Sequence, residues 1–118
     1  MLHAVSELAE DSVGGVSWGL GDEVLWEQNP ALVIVHVSGF GQTGDPDYVS
    51  RPSWDGVGQA FGTISFQNGY PEEPFCANPY ICDSATAMYA SWSALAALIN
   101  AKQTGQGESI DVTQFEAM

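Results

Sequence analysis

Basic residues are almost absent from this chain of 118 residues. Arg51 and Lys102 are set against 15 acidic residues, which gives a formal net charge of -13 at pH 7. A surface this acidic repels phosphate backbones and anionic headgroups, so we expect neither nucleic acid nor a membrane as a partner. The imbalance also suggests that a compensating basic surface lies outside this chain.

Cysteine is equally scarce. Cys76 and Cys82 form neither a C-x-x-C pair nor a spacing supported by histidines, so the sequence predicts no metal site. The sequence has neither a secretory segment nor a disulfide-dense pattern, and we therefore expect reduced thiols in a cytoplasmic protein. The longest apolar stretch is interrupted by Ser91, Ser93 and Asn100, which makes it too weakly hydrophobic for a transmembrane helix.

Hydrophobic residues make up 45% of the chain and charged residues 14%, a balance typical of a globular protein. The unbroken apolar centre of 31–38 predicts a parallel strand that is buried on both faces. Residues 109–113 predict a second strand, and residues 84–101 a long helix that ends at Gly105. The other predictions are a short helix and loop in 1–21, helices at 22–28 and 54–61, a short apolar element at 62–67, loops at 42–52 and 68–79, and a helix that begins at 114.

These elements predict a piece of an α/β fold rather than a complete one. Two strands cannot form the sheet that their apolar character implies, and the last predicted helix is unfinished. The long helix carries one stripe of large apolar side chains, and alanines nearby would let neighbouring elements approach closely. The stripe consists of Met88, Trp92, Leu95 and Ile99.

Asp83 stands directly before the predicted long helix. It is either the N-cap, worth about 1 kcal/mol to the helix, or a nucleophile that the helix N-terminus keeps ionised and oriented. Its neighbours Ile81, Cys82 and Ala85 add no competing charge. These residues alone leave both hypotheses open.

Three residues follow the first predicted strand, at the position where open α/β sheets bind ligands. Gly39 and Gly41 flank Phe40, and the missing side chains would let a substrate approach the backbone. A tight exit from the strand explains the two glycines equally well. His36, in the middle of the strand, is interpreted as a packed and hydrogen-bonded residue.

Several sequence blocks follow one another in a specific order. They are NPALV at 29–33, VSGFGQTG at 37–44, RPSWD at 51–55, QA at 59–60, Asp83 before the long helix, TGQG at 104–107 and DVTQFEA at 111–117. Together they resemble the family III CoA-transferases, which include carnitine and formyl CoA-transferases and the related α-methylacyl-CoA racemases. The resemblance covers residues 19–118 as a partial large domain, whereas residues 1–18 match poorly. It implies an α/β fold, a fragment of a Rossmann-like parallel-sheet CoA-transferase domain.

The resemblance also implies a covalent mechanism for Asp83. In the family, the aspartate at this place attacks an acyl-CoA thioester to give a mixed anhydride, which CoA thiolate converts to an aspartyl-CoA thioester. An acceptor acid then takes over the CoA. Trp54 and Asp55 match a pair of residues close to the CoA-binding and acyl-binding region. Trp54 itself is either a core residue or a wall of the acyl pocket.

The residue type at position 54 also distinguishes the racemases of the family from the transferases. The racemases resemble the transferases but use a histidine at this place, with the later aspartate as its acid/base partner. His3 and His36 are the only histidines of this chain, so we expect CoA transfer and keep a racemase-like enzyme as an alternative. Four aromatic residues either line an acyl pocket or cover a core; they are Phe66, Tyr70, Phe75 and Tyr80.

The partners follow from the same resemblance. Family members are several times longer than this chain and form interlocked homodimers, with other segments supplying much of the CoA site. The resemblance therefore implies CoA, an acyl-CoA and a carboxylic acid as substrates, and no metal. We expect the isolated chain to have little or no activity. A second hypothesis is a truncated or split chain that needs a partner segment to fold.

Overall fold

The computed structural model describes residues 6–8 and 18–118. A three-stranded parallel sheet in the order β1-β2-β3 lies at its centre. The strands are β1 Ser6–Leu8, β2 Ile34–Ser38 and β3 Ser109–Thr113. His36 in the central strand is opposite Glu7 of β1 and Asp111 of β3. The predicted α/β class with parallel strands is confirmed.

β1 corrects the helix predicted near the start of the chain. Leu8 lies in a strand that pairs with β2, while Leu2 and Val5, the other residues of the proposed helical stripe, lie outside the described residues. Three apolar residues at helical spacing are a weak signal. Pairing with a neighbouring strand supplies hydrogen bonds to the backbone, and this tertiary contact outweighs the local pattern.

Five helices occur in the described part of the chain: α1 Asp22–Gln28, α2 Pro46–Val49, α3 Asp55–Phe61, α4 Ile64–Asn68 and α5 Ile81–Thr104. The helices predicted at 22–28 and 54–61 are confirmed to within one residue. α2 falls in a predicted loop, because Pro46 fits a first helical position and the Asp45 carboxylate accepts a hydrogen bond from the Asp47 amide. Residues 114–117 form a turn and not the predicted helix.

α5 is longer than predicted at both ends. It begins at Ile81 instead of Ser84, and it ends at Thr104 with Gly105 as the predicted C-cap in the left-handed region (φ 75). Asp83 therefore lies inside the first turn and not before the helix. The early start has a tertiary cause, since a carboxylate from α3 binds the first free amides of α5.

The core is small and lies between α5 and the sheet. Ile34 and Val112 are buried on the sheet, and Cys82, Ala97 and Ala101 are buried on α5. The prediction that the first long strand is buried on both faces is wrong, because the rest of β2 is only half-buried. The Cα radius of gyration is 16.0 Å, whereas a compact chain of this length would have about 13 to 14 Å.

The predicted apolar stripe of α5 points away from this core, and we call it the outer face of α5. Its members are between 50% and 60% exposed; they are Met88, Trp92, Leu95 and Ile99. Large apolar side chains that form one open patch are typical of a surface in contact with other protein. Within residues 6–8 and 18–118, no helix combines the length and the apolar character needed to cross a membrane.

Candidate active site

Asp83 extends an exposed side chain from the first turn of α5. The N-cap hypothesis is wrong, because Tyr80 occupies the N-cap position and Asp83 lies further along the helix. A carboxylate is still favoured there, since the first turn of a helix carries partial positive charge. Asp83 Oδ1 accepts a hydrogen bond from Gln114 Nε2 at 2.5 Å. None of the described residues donates a hydrogen bond to Oδ2.

Asp55, the first residue of α3, supplies the cap that α5 lacks. Its Oδ1 accepts hydrogen bonds from the backbone amides of Cys82 at 2.8 Å and Asp83 at 3.1 Å. A carboxylate on the first amides of a helix acts as an N-cap side chain does, although this one comes from another helix. Asp55 therefore fixes the backbone that carries Asp83. Its predicted contact with CoA or substrate stays a prediction.

Gln59 holds Asp55 in place. It is completely buried, and its Nε2 donates to Asp55 Oδ2 and to the Ala77 carbonyl, the latter at 3.0 Å. Its Oε1 accepts from the Ala77 amide at 2.7 Å, so both ends of the side chain are satisfied. The bonds join α3 to the loop that leads into α5. The spacing of Asp55 and Gln59 by four positions is a sequence signal for this pair, but no such signal points to Ala77.

The backbone directly before α5 is strained. Tyr80 has φ 45 and ψ 52, in the left-handed region that a bulky residue rarely adopts. Such a conformation costs about 1–3 kcal/mol and persists only where surrounding contacts enforce it. The hydrogen bonds of Asp55 to the amides that follow Tyr80 provide this constraint. Because stored strain concentrates at functional sites, Tyr80 is a second indication that this turn is functional.

Gln114, the first residue after β3, provides the second support for Asp83. Its backbone amide donates to the Ser38 carbonyl at 2.9 Å. An ionised carboxylate only accepts hydrogen bonds, so the side-chain nitrogen of Gln114 must face Asp83. Its Oε1 is then buried without a partner among the described residues, which costs about 1–3 kcal/mol. The sequence offers no signal for this contact, which spans 31 positions.

Cys82 precedes Asp83 and is completely buried. Burial raises the pKa of the Cys82 thiol; a hydrogen bond with Thr86 opposes this shift, and the negative charges of Asp55 and Asp83 add to it. The thiol therefore stays protonated near neutral pH and donates to the Gln114 carbonyl at 3.4 Å. A buried, protonated thiol is a poor nucleophile. Cys82 is therefore not a candidate nucleophile, whereas the exposed Asp83 carboxylate is one.

The residues after β2 form a tight strand exit. A Cβ atom on Gly39 would collide with a neighbouring side chain, and Gly41 has φ 94, which favours glycine. Phe40 packs edge-on against Tyr48 and Phe61, with ring centroids 5.6 and 5.1 Å apart. These contacts explain all three residues of the exit without a ligand. Their predicted contact with CoA or substrate stays a prediction.

Trp54 is not part of the core of this chain. It precedes α3 as the N-cap residue and is 67% exposed, so the core interpretation is wrong for this chain. Its place in the wall of an acyl pocket stays a prediction. The four aromatic residues singled out between positions 66 and 80 are each more than half exposed; they are Phe66, Tyr70, Phe75 and Tyr80. Exposed rings of this kind offer apolar surface to a substrate or to another segment.

His36 is hydrogen-bonded as predicted, although it is only half-buried. Its Nε2 lies 3.0 and 3.1 Å from the two carboxylate oxygens of Asp22 in α1. Partial burial acts to raise the pKa of Asp22, but hydrogen bonds with Ser109 and His36 and the attraction to His36 outweigh it and lower that pKa. The pair ties α1 to the sheet. Over the part of the chain that the structure describes, no group of three or more His, Cys, Asp or Glu residues is placed to hold a metal ion.

Known sequences match nearly the whole chain. The sequence profile of CoA-transferase family III matches residues 11–118. The Bile acid CoA-transferase BaiK of Clostridium scindens is 55% identical over 112 residues, which are 92% of this chain and 25% of that protein. The L-carnitine CoA-transferase of Proteus mirabilis is 52% identical over 100 residues, 85% of this chain and 25% of that protein. The chain thus spans about a quarter of the length of the curated relatives it matches.

Solved structures share the fold. A CAIB/BAIF family protein from Brucella suis matches with a TM-score of 0.81 and 33% identity, over 88% of this chain and 27% of that chain. Rv3272 from Mycobacterium tuberculosis matches with a TM-score of 0.78 and 25% identity, over 88% of this chain and 29% of that chain. The arrangement seen here therefore recurs as one part of longer proteins.

Proposed function

Because the chain belongs to CoA-transferase family III, we propose that it carries the nucleophile of an enzyme that moves CoA between an acyl-CoA and a carboxylic acid. One observation supports this most strongly. Asp83 is an exposed carboxylate in the first turn of α5, and hydrogen bonds hold its amide to Asp55 and its side chain to Gln114. A fixed and accessible carboxylate at the positive end of a helix meets the requirements of covalent catalysis.

The first step is an attack by Asp83 Oδ2 on the carbonyl carbon of the acyl-CoA. The carbon–sulfur bond breaks, and CoA leaves as the thiolate with the electron pair. The product is a mixed anhydride between the Asp83 carboxyl and the acyl group. Because Oδ1 already accepts a hydrogen bond from Gln114, Oδ2 is the oxygen that remains available for the attack.

The next steps take place at Cγ of Asp83. CoA thiolate attacks this carbon, the bond to Oδ2 breaks, the donor acid leaves as a carboxylate, and an aspartyl-CoA thioester remains. The acceptor carboxylate then attacks the same carbon and releases CoA thiolate, which takes the acceptor acyl group from the new anhydride. One anion enters and one anion leaves in each step, so the reaction needs no proton donor.

Other segments of a family-length protein complete the site in this proposal. CoA carries several phosphate charges, but Arg51 lies over the Tyr48 ring at 4.5 Å and Lys102 lies in the last turn of α5. Neither cation belongs to the network around Asp83. We therefore assign the phosphate-binding cations to segments outside this chain. We also propose that other segments cover the outer face of α5 and that the family-length protein is a homodimer. Two free cysteines suit the proposed cytoplasmic location.

The outer face of α5 favours a second role for the chain when it is alone. Four large apolar side chains remain open to solvent there, so the isolated chain is proposed to be a non-catalytic piece that depends on a partner segment. A racemase-like function has less support. Trp54 stands where the second proton-transfer residue would be, and His36 is bound to Asp22.

A chimera tests the proposed function. In this BaiK chimera, the present chain replaces the matching quarter of Clostridium scindens BaiK, and transfer of CoA from a bile acyl-CoA to a free bile acid is measured. Asp83→Asn keeps an acceptor for Gln114 but removes the nucleophile, so kcat should fall roughly 10⁴-fold or more. Asp47→Asn is the matched control, because Asp47 is an exposed aspartate in the first turn of α2; its kcat should stay within about twofold. A folded chimera that is inactive, or that tolerates Asp83→Asn, would contradict the proposal.

A further inference from the structure

We infer that Gln114 is a catalytic residue, whose side-chain amide donates to Asp83 Oδ1 while that oxygen carries the negative charge of the tetrahedral intermediates. The inference rests on the proposed function, in which Cγ of Asp83 becomes the centre of acyl transfer. Two observations carry it. Gln114 Nε2 lies 2.5 Å from Asp83 Oδ1, and Gln114 Oε1 is buried with no partner in the described structure.

Asp83 Oδ1 changes from a carboxylate oxygen to a carbonyl oxygen during the reaction, while Gln114 remains its hydrogen-bond donor. In the resting carboxylate, Oδ1 shares one negative charge with Oδ2. In the mixed anhydride and in the aspartyl-CoA thioester, Oδ1 is the carbonyl oxygen. When a thiolate or a carboxylate attacks Cγ, the electron pair of this carbonyl moves onto Oδ1. A donor that is already in place at that atom stabilises the developing charge and lowers the barrier.

Gln114 is fixed in position before any substrate binds. Its backbone is tied to the end of β2 through Ser38 and to α5 through Cys82. The backbone of Gly58 lies close beside Gln114. A Cβ atom on Gly58 would lie only 3.3 Å from the Cβ atom of Gln114, a tight contact that glycine avoids. A donor held by these contacts needs little reorganisation when charge develops on Oδ1.

A comparison with Gln59 separates a catalytic glutamine from a structural one. Gln59 is buried and uses both ends of its amide, because it donates to Asp55 and to the Ala77 carbonyl and accepts from the Ala77 amide. Gln114 uses only its donor end. A side chain that served structure alone would gain from satisfying its oxygen, so the one-ended arrangement of Gln114 points to the task of donating to Asp83.

The chemistry predicts which step depends on Gln114. When Asp83 attacks the acyl-CoA, negative charge leaves the Asp83 carboxylate, so a donor on Oδ1 helps to orient the carboxylate but gives no electrostatic assistance. When CoA thiolate attacks Cγ, negative charge collects on Oδ1, and the donor stabilises it. Asp55 still holds the Asp83 amide when the donor is lost, so the release of CoA from acyl-CoA should change little while the formation of aspartyl-CoA slows. A structural role would slow both steps together.

Two rates measured in the BaiK chimera test this. Thiol release after mixing with acyl-CoA reports the first step, and mass spectrometry of quenched samples reports the CoA adduct on the Asp83 peptide. In Gln114→Met, which keeps the side-chain length but lacks the donor, adduct formation should fall about 10²-fold. Thiol release and the KM for acyl-CoA should stay within about threefold. Gln103→Met, at an exposed glutamine in the last turn of α5, is the matched control and should change neither rate.

Equal losses in both rates, or adduct formation within about threefold of the unmodified chimera, would overturn the inference. If Gln114→Met does not fold, Gln114→Leu provides the same test, because it also lacks the donor and adds no charge beside Asp83. A crystal structure of the chimera with Gln114 Nε2 beyond hydrogen-bond distance of Asp83 would also overturn the inference. Efficient transfer without any adduct on Asp83 in the unmodified chimera would instead overturn the proposed function.

Discussion

The first turn of α5 is held by hydrogen bonds from within this chain, whereas the outer face of the same helix is exposed. In the first turn, Asp55 binds the leading backbone amides and Gln114 binds the Asp83 carboxylate. Along the outer face, four large apolar side chains are at least half exposed. The contrast indicates that this chain contains the groups that orient the proposed nucleophile. The groups that cover the helix and bind most of the CoA are expected in other segments of a family-length protein.

Leu95→Ala is expected to have the largest effect, because it removes a side chain from the outer face of α5. Leu95 is 60% exposed in this chain, so its contacts here account for a change in the free energy of unfolding of less than about 0.5 kcal/mol. In the BaiK chimera, where we expect other segments to cover the outer face, the loss should be about 2–5 kcal/mol. Urea unfolding of the chimera measures this loss.

Gln103→Ala, at an exposed position of the last turn of α5, is the control for this comparison. It should change the free energy of unfolding of the chimera by less than about 0.5 kcal/mol. A Leu95→Ala loss as small as that of Gln103→Ala would contradict the assignment of the outer face as a covered surface.

Asp55→Ala tests the hydrogen bonds that hold the first turn of α5. The first turn loses its cap, which should lower the free energy of unfolding of the chimera by about 1–2 kcal/mol. Because Asp83 also loses the anchor of its backbone amide, kcat should fall by as much as about 10²-fold. Asp45→Ala is the matched control, since Asp45 caps only the single turn of α2. Lower stability with an unchanged kcat would show that Asp55 stabilises the helix without positioning Asp83.

Asp22→Asn is expected to have the smallest effect and to leave the first turn of α5 unchanged. The fold lowers the pKa of Asp22, so its interaction with Ser109 and His36 contributes stability above the ordinary aspartate pKa of about 3.9. This contribution is lost as the pH falls through the lowered pKa of the folded state. Thermal unfolding should show a deficit of less than about 1 kcal/mol near pH 7 that disappears in stronger acid. A deficit of equal size at every pH would contradict this assignment.

The sequence predicts the main elements because their signals are local, and its ordered blocks make Asp83 the candidate nucleophile. The apolar centre of β2, the long helical stripe and Gly105 each lie within one element and are confirmed in type. The contacts that hold Asp83 in place have no such local signal. Its bonds to Asp55 and Gln114 span 28 and 31 positions, so they depend on how the elements pack and leave no periodic pattern. The predicted start of α5 at Ser84 is wrong for the same reason, because the contacts of Asp55 place it at Ile81.

The burial of apolar side chains is the property that the sequence predicts least well. Trp54 and the outer face of α5 are as apolar as core residues, yet they are open to solvent. Hydrophobicity predicts that a side chain will be covered, but it does not specify whether the covering atoms belong to the same stretch of chain. In a chain that spans about a quarter of its relatives, an exposed apolar side chain is therefore informative about segments elsewhere.

Mass spectrometry of the BaiK chimera, quenched during turnover, tests the role of Asp83 most directly. We expect the peptide that contains Asp83 to carry a CoA adduct, which hydroxylamine converts to a hydroxamate at the same residue. Asp83→Asn should abolish the adduct, and Asp47→Asn should leave it unchanged. Transfer of CoA at an undiminished rate with the adduct absent from Asp83, or with the adduct on another residue, would contradict the proposed mechanism.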